Sequence, residues 1–306
     1  MNMIDFLKKQ GVAEGLIDEL ERFRAYYKVE TEVERRVVKP RFFYYGRSVW
    51  EMAISALLQG ENLLLSGAKA TGKNVLAENL AYAFGRPVWT VSLNVNSDSS
   101  SLIGSDTFVG GEVRFRRGSI YNCAEYGGFG IFDEINMAKN DALSVLHSAL
   151  DYRRLIDVPG YEKKNLHEAT RFIATMNYGY AGTKELNEAL VSRFMVLDIP
   201  KMTKEHLNYI IKTEYPDVKE EYADVFAELF LDLQLKAAYS EISSKAVDLR
   251  GLLGAIGVIG KGLPSGRALD MGIVGKTFDE FEKEIVEDVI RLRLTGNEGR
   301  EDVFHV

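Results

Sequence analysis

The chain has few of the residues that build cross-links, metal centres or kinks, with one cysteine, four histidines and six prolines among 306 residues. Because a disulfide needs two cysteines, the lone Cys123 excludes an internal one, and we interpret Cys123 as a small buried side chain. His147, His167, His206 and His305 lack the i, i+4 spacing of a helical metal site. We therefore predict neither a zinc finger nor a transition-metal centre.

Long hydrophobic runs and an excess of positive charge are also missing. The longest apolar stretch, Gly251 to Gly260, is much shorter than the roughly 20 residues that span a bilayer. No cationic segment followed by an apolar one opens the chain, so we expect a cytoplasmic protein without membrane insertion. The formal net charge of -7 and a pI near 5.4 argue against a general nucleic-acid coating protein.

The remaining composition is that of a globular protein, with 46% hydrophobic and 27% charged residues. Its most informative stretch begins at Glu61. Asn62–Ser66 has the length of a buried strand, and from Val75 to Phe84 apolar residues recur at helical spacing. A glycine-containing loop lies between the two, so the stretch predicts a strand, a loop and a helix in succession.

This loop matches the phosphate-binding pattern G-x-x-x-x-G-K at Gly67, Gly72 and Lys73. In that pattern backbone N–H groups surround the phosphates and the lysine reaches the terminal ones, which predicts nucleoside triphosphate binding. A plain glycine turn before a helix is the alternative interpretation. The predicted nucleotide-binding segment is Gly67, Ala68, Lys69, Ala70, Thr71, Gly72, Lys73, Asn74 and Val75.

Two residues of the loop depart from the usual pattern. Asn74 stands where Ser or Thr normally holds Mg²⁺, and its side-chain oxygen lies one bond further from the backbone. Ala70 stands where glycine is usual, and its Cβ strains the loop if this residue needs a positive φ. We therefore expect nucleotide binding to survive and basal hydrolysis to be slow.

A second chemical signal follows the apolar strand that begins at Phe129. This strand ends in adjacent carboxylates, Asp133 and Glu134. In P-loop enzymes an aspartate here holds the metal, and the next glutamate orients or deprotonates the attacking water. The pair therefore predicts Asp133 as a metal ligand and Glu134 as the catalytic base.

Several further elements can be predicted from periodicity and turn residues. Gly110-Gly111 predicts a hairpin over Phe108–Arg117 after a serine-rich loop, and a second hairpin is expected near Tyr161. Their basic residues either contact a polypeptide or nucleic acid or are simply solvated. The other predicted elements are two short helices before Tyr27, a linker over Val29–Lys39, helices over Asp141–Tyr152 and Lys184–Val191, a turn over Gly179–Thr183, and a polar tail of about a dozen residues.

In its motifs and their order the sequence resembles the AAA+ ATPases, and more narrowly the MoxR and dynein-related branch with its CbbQ/NorQ-type activases and midasin. Phe132-Asp133-Glu134-Ile135-Asn136 resembles the Asp-Glu-Ile-Asn signature of that branch. The stretch from Leu186 to Phe194 is the other close match. The resemblance covers roughly Arg41 to Leu294 and leaves the first forty residues without a counterpart.

The resemblance implies an α/β fold, a P-loop domain with a parallel five-stranded sheet flanked by helices, followed by a C-terminal all-helical lid. The expected divisions are 1–40 (N-terminal helical segment and linker), 41–200 (nucleotide-binding domain) and 201–306 (lid and tail). By resemblance Lys73 contacts phosphate, Asn177 polarises the attacking water, Arg193 is an arginine finger toward a neighbouring subunit, and Arg250 is a second sensor. Taken singly, each arginine is better interpreted as a surface ion-pair residue, and Asn177 can be a turn residue. Their shared order favours the functional interpretation.

The function that these features imply is ATP hydrolysis with Mg²⁺ at the subunit interfaces of a homo-oligomeric ring, by family a hexamer, which remodels or activates a protein partner. A von Willebrand A domain protein is the partner that the resemblance suggests. One alternative is a nucleotide-binding assembly scaffold with weak turnover, motivated by Ala70 and Asn74. Another is a motor subunit that acts on nucleic acid and uses ATP or GTP.

Overall fold

The computed structural model describes residues 2–158, 160–178 and 186–305. The chain forms two compact units. Met1–Ala68 and Gly72–Pro200 make up the first, and Lys69–Thr71 with Lys201–Val306 make up the second. The turn expected over Gly179–Thr183 lies outside the described residues.

A five-stranded parallel sheet is the framework of the first unit, in the order β2-β5-β8-β1-β9. This confirms the predicted α/β fold. The five strands are β1 (Leu63–Gly67), β2 (Val88–Ser92), β5 (Phe129–Asp133), β8 (Arg171–Asn177) and β9 (Met195–Asp198).

Helices cover both faces of this sheet, as its alternating side chains require. Leu63 and Leu65 of β1 belong to one hydrophobic cluster, and Leu64 belongs to another. The helices of this unit are α1 (Met3–Lys9), α2 (Glu14–Tyr26), α3 (Arg47–Gln59), α4 (Lys73–Ala83), α5 (Ser99–Ile103), α6 (Ser119–Glu125), α7 (Asn140–Leu143), α8 (His147–Leu150) and α9 (Glu188–Val191). Short 3-10 helices span Thr31–Arg36, Ile135–Met137 and Ser144–Leu146.

The first forty residues pack into the same cores as the sheet. Phe6 and Leu20 of the first two helices lie in the cluster that contains Leu63, while Val33 lies in the cluster on the opposite face. Just after Val33, the Arg36 guanidinium lies 4.9 Å from the centre of the Trp89 ring in the edge strand β2. The segment expected to be a linker therefore contains a 3-10 helix and contacts the edge strand.

A buried arginine fastens this N-terminal segment to the sheet. Arg86 is 1% exposed and donates hydrogen bonds to the carbonyl oxygens of Tyr27 (2.6 Å), Tyr126 (2.8 Å) and Gly127 (2.7 Å). Because burial disfavours the charged form, the pKa of Arg86 is lowered from its usual value. These carbonyl groups stabilise the positive charge of Arg86, which has no carboxylate contact within the described residues.

Two β-hairpins extend from the first unit and contact each other. They are β3 (Gly104–Val109) with β4 (Glu112–Arg117), and β6 (Leu155–Ile156) with β7 (Lys164–Asn165). The Tyr161 hydroxyl donates to Asp106 Oδ1 at 2.6 Å, and the Phe115 and Tyr161 rings lie 5.0 Å apart. At the tip of the first hairpin, Phe108 is 75% exposed.

The second unit is helical and has its own core, with Phe226, Phe230 and Ile256 at its centre. Its helices are α10 (Lys204–Glu214), α11 (Glu220–Ala238), α12 (Leu249–Ile259), α13 (Ser265–Gly272), α14 (Glu280–Arg291) and α15 (Arg300–Val303), with a 3-10 helix over Val274–Lys276. The expected polar tail is wrong: Val303 and Phe304 are buried, and Phe304 forms a bridge with Val218.

Local propensity also misplaced some boundaries in the first unit. The serine-rich loop contains α5, because Asp98 caps its first turn by accepting a hydrogen bond from the Ser101 N–H at 2.7 Å. The helix expected over Asp141–Tyr152 is two short α-helices separated by a 3-10 turn. Of the helix expected over Lys184–Val191, the described part is α9.

Cys123 is buried, as predicted, and its burial raises the pKa of the thiol. Across the described part of the chain, no helix has both the length and the apolar character needed to cross a bilayer.

Arg86→Met should destabilise the first unit, because the substitution leaves several buried carbonyl groups without their donor. Unsatisfied buried groups cost about 1–3 kcal/mol each, so we expect a loss of at least ~3 kcal/mol in the free energy of unfolding. Urea unfolding measures this change. Arg114→Met on the exposed hairpin is the control, with an expected change below ~0.5 kcal/mol; equal effects of the two substitutions would contradict the role of Arg86.

Candidate functional site

Most of the predicted site residues of the first unit gather at the carboxyl edge of the sheet, because parallel strands place their C-terminal ends together. Gly67 at the end of β1 lies opposite Asn177 at the end of β8. On the other side of β1, Ser66 lies opposite Asp198 of β9. Asp133 ends β5, the neighbour of β8.

The glycine loop leaves this edge after Gly67 and leads into α4. Gly72 has a φ of 84° and caps the helix, which explains the glycine at this position. Ala70 has a φ of 60°, the left-handed conformation that the sequence analysis considered. For a residue with a Cβ this conformation costs roughly 1–2 kcal/mol, so the loop contains local strain.

Lys73 is the first residue of α4 and is 6% exposed. Its ammonium donates hydrogen bonds to the carbonyl oxygens of Gly67 (3.0 Å) and Ala68 (2.6 Å), at the start of the loop. Burial lowers the pKa of Lys73 to about 8, against the opposing charges of Asp133, Glu134 and Asp198. The lysine therefore lies among the groups that the sequence predicted to meet phosphate.

One hydroxyl group connects the two predicted acidic residues. Thr175 Oγ1 donates to Asp133 Oδ1 at 2.7 Å and accepts the Glu134 backbone N–H at 3.2 Å. Thr175 is buried, so this connection is shielded from water. Glu134 itself has a φ of 55° and an exposed side chain. This left-handed backbone conformation is the kind of strain that concentrates at functional sites.

Asn177 contacts both Glu134 and the turn that follows it. Its Nδ2 donates to Glu134 Oε1 at 3.3 Å, and its carbonyl oxygen accepts a hydrogen bond from Asn136 Nδ2 at 3.2 Å. The fold thus brings together Lys73, Asp133, Glu134 and Asn177, which are far apart in the sequence.

Arg193 lies elsewhere in the same unit, next to α8. Its Nε donates to the His147 carbonyl oxygen at 3.3 Å, its Nη1 donates to the Ala189 carbonyl oxygen, and its Nη2 lies 3.7 Å from Asp151 Oδ2. Asp151 also binds Arg153, which lowers the pKa of the carboxyl. Within the subunit, Arg193 is therefore oriented by main-chain and carboxylate contacts.

Arg250 belongs to the second unit, where it is exposed in the first turn of α12. Its backbone N–H donates to the Asp248 side chain at 3.0 Å. Its predicted role as a second sensor stays a prediction.

Sequence reasoning missed three polar residues of this edge, namely Thr175, Tyr178 and Asp198. The Tyr178 hydroxyl donates to Asp198 Oδ1 at 2.9 Å. A signal was available for Thr175 and Tyr178, which lie within two residues of Asn177 in the sequence. Their partners, however, are distant in the chain. Thr175 and Asp133 are 42 residues apart, and Tyr178 and Asp198 are 20 residues apart.

Comparisons with known proteins agree with this geometry. Residues 62–194 match the family model of the AAA domain (dynein-related subfamily). The chain is 34% identical over 243 residues to the uncharacterized protein YojN of Bacillus subtilis, covering 78% of this chain and 79% of that protein. It is 30% identical over 265 residues to an uncharacterized protein of Staphylococcus haemolyticus, covering 84% of this chain and 100% of the relative. A third relative, from Staphylococcus epidermidis, is 31% identical over 255 residues.

The chain is therefore an AAA protein, with its AAA domain over residues 62–194.

As an AAA protein it is a member of a class of nucleotide-binding ATPases that generally form rings, with Mg²⁺ as the usual metal. The residues present suit such a site, because Mg²⁺ is commonly held by one or two carboxylates together with substrate phosphates. Asp133 supplies one carboxylate, fixed by Thr175. No cluster of three or more His, Cys, Asp or Glu residues suited to a metal occurs in the described ranges, so a dedicated all-protein metal cage is not found there.

Thr175→Val in this AAA protein should lower the turnover number about tenfold to a hundredfold, because the loss of the hydroxyl frees both Asp133 and the Glu134 backbone from their common contact. Nucleotide affinity should change much less. Steady-state hydrolysis and calorimetric nucleotide binding measure the two effects. The matched control is Thr107→Val, which removes a hydroxyl from the β3–β4 hairpin; equal losses in both variants would contradict the role of Thr175.

Proposed function

We propose that this AAA protein hydrolyses ATP at the subunit interfaces of a ring and uses the energy to remodel or activate a protein partner, as MoxR-type proteins do. The observation that carries the proposal is the contact between Asn177 Nδ2 and Glu134 Oε1, beside the Thr175-bound Asp133. Phosphoryl transfer to water needs a positioned base and an array of charge around the terminal phosphate. This edge of the sheet carries residue types suited to both.

The proposed roles follow from the chemistry of each group. Glu134 accepts the proton of the attacking water, while Asn177 orients the Glu134 carboxylate and the water. Lys73 neutralises phosphate charge, and the backbone N–H groups of residues 67–75 surround the phosphates. Mg²⁺, when bound, supplies further charge neutralisation; Asp133 and Asn74 would hold it, Asn74 directly or through a water.

Two arginines complete the proposed site in the assembled ring, which we expect to be a hexamer. Arg193 serves as the finger that reaches the nucleotide of the neighbouring subunit, and Arg250 serves as the second sensor. Finger arginines contribute about 10³–10⁵ in rate in related phosphoryl-transfer systems. The contacts of Arg193 with His147 and Ala189 support the proposal because they hold its side chain in one orientation.

We propose that the partner of such a ring is a cytoplasmic protein, such as one with a von Willebrand A domain, rather than nucleic acid. The net charge of -7 disfavours a polyanionic partner. The exposed Phe108 and Val113 at the hairpin tip favour contact with a polypeptide.

A nucleotide-binding scaffold with weak turnover is the second candidate. It is favoured by the left-handed φ of 60° at Ala70 and by Asn74 at the position of the usual Ser or Thr. Strain in the loop and a longer metal ligand would both loosen the terminal phosphate without preventing binding.

Glu134→Gln should bind ATP with near wild-type affinity and lose about 10²–10⁴ in turnover, because an amide cannot accept the proton of water. Steady-state phosphate release and calorimetry measure the two properties. Glu112→Gln on the hairpin is the matched control and should retain turnover, while Lys73→Ala should abolish ATP binding.

The comparison with wild type separates the candidate functions. Brisk turnover in both wild type and Glu134→Gln would remove Glu134 from the catalytic role. Negligible turnover in both wild type and Glu134→Gln would favour the scaffold, and strong stimulation of the wild type by DNA would favour a nucleic-acid motor.

Mixing two inactive variants should restore hydrolysis if Arg193 acts across a subunit interface. In mixed rings of Arg193→Ala and Lys73→Ala subunits, about one interface in four pairs an intact finger with an intact loop. Hydrolysis per ring should therefore reappear at a fraction of the wild-type rate. Each variant incubated alone is the control, and native mass spectrometry verifies the mixing.

Verified mixed rings without recovered activity would count against a finger that acts in trans. A titration with wild-type subunits then tests whether hydrolysis requires all subunits to act together, since a steep loss of activity indicates concerted action.

A further inference from the structure

The end of β1 leaves Tyr178, the residue directly after β8, without a strand neighbour on that side. β1 pairs with both β8 and β9, and its last paired residue, Gly67, lies opposite Asn177, the last residue of β8. Beyond Gly67 the chain turns away as the glycine loop. Tyr178 therefore needs another contact to keep a defined position.

A side-chain contact bridges this gap on the side of β9. The hydroxyl of Tyr178, the residue directly after Asn177, donates to Asp198 Oδ1 at 2.9 Å. β8 and β9 are both neighbours of β1, so they lie two strand spacings apart, about 9.5 Å. The Tyr178 side chain must therefore extend past the end of β1 to reach Asp198. Donation to the carboxylate also raises the pKa of Tyr178, which keeps the phenol protonated and able to donate.

A second contact holds the same strand end on the side of β5. Asn136, in the 3-10 turn after Glu134, donates from Nδ2 to the Asn177 carbonyl oxygen at 3.2 Å. Asn136 is buried, whereas Asp198 and Tyr178 are exposed. The end of β8 is thus held from both sides, by a buried amide on one and by a solvent-accessible hydroxyl–carboxylate bond on the other.

We propose that Tyr178 and Asp198 are positioning residues, which bridge β8 and β9 across the end of β1 and thereby set the Asn177 amide against the Glu134 carboxylate. This inference rests on the proposed function, since it assigns Asn177 to the orientation of the attacking water. Neither residue touches the reacting atoms in this scheme. Both act on hydrolysis through the backbone of residue 177.

The test removes the bond from either end. Tyr178→Phe deletes only the donor hydroxyl, and Asp198→Ala deletes the acceptor. Each should lower kcat about tenfold, because a small displacement of an orienting group strongly slows the reaction, while the dissociation constant of a fluorescent ATP analogue stays within about twofold. The double variant should be no slower than the singles, since both remove one and the same bond.

Two further variants separate positioning from general damage. Asp198→Asn keeps an acceptor oxygen for the tyrosine hydroxyl, so it should restore most of the kcat lost in Asp198→Ala. Tyr26→Phe is the control for the loss of a tyrosine hydroxyl, because Tyr26 is 75% exposed and lies in α2. It should leave kcat unchanged.

The outcomes also distinguish this inference from the proposed function. If wild type hydrolyses ATP and Tyr178→Phe matches it in kcat, the positioning role is overturned. A loss of nucleotide affinity equal to the loss of kcat overturns it as well, because that pattern indicates a general disturbance of the loop. Absence of hydrolysis in wild type, with Glu134→Gln no different, instead overturns the proposed function on which the inference rests.

Discussion

The position of β1 between β8 and β9 is the constraint on which the candidate site depends. Because β1 pairs in parallel with both neighbours, its end at Gly67 determines where the glycine loop begins and which residues face it. Asn177 lies opposite Gly67, and Asp198 lies opposite Ser66. A shift of one residue in the pairing of β1 with β8 or with β9 would turn the side chains of the shifted strand to the other face of the sheet. Asn177 and Asp198 would then no longer face the start of the glycine loop.

The polar side chains at the carboxyl edge of the sheet each compensate for an unfavourable feature of the backbone there. Glu134 has a φ of 55°, an unfavourable conformation for a residue with a side chain, and the Thr175 hydroxyl accepts its N–H. Asn136 and Tyr178 hold the end of β8, which continues beyond Ala174, its last residue paired with β5. Strain and lost pairing are thus concentrated where the proposed chemistry needs defined orientations.

The sheet itself is held by apolar burial on both faces, to which the N-terminal segment contributes. Phe6 and Leu20 pack on one face, and Val33 packs on the other. Arg86 joins the segment to Gly127 through buried hydrogen bonds. The segment without a counterpart in the family resemblance is therefore structural in the first unit, and its Arg36 contacts Val88 and Trp89 of the edge strand β2.

The sequence by itself determined the glycine loop and the strand that ends in adjacent carboxylates, because these are local features of the chain, and the resemblance that they carry implied the parallel α/β fold and the AAA class. It also indicated that Ala70 would be strained if it needed a positive φ, which its φ of 60° bears out. It misplaced the C-terminal residues, since Phe304 is buried through contacts with residues distant in the chain, among them Val218 and Tyr215. Only the tertiary structure decided that Thr175 joins Asp133 to Glu134 and that Tyr178 reaches Asp198. These contacts join residues on different strands, and the sheet order that brings such strands together is set by packing over the whole unit rather than by any local pattern.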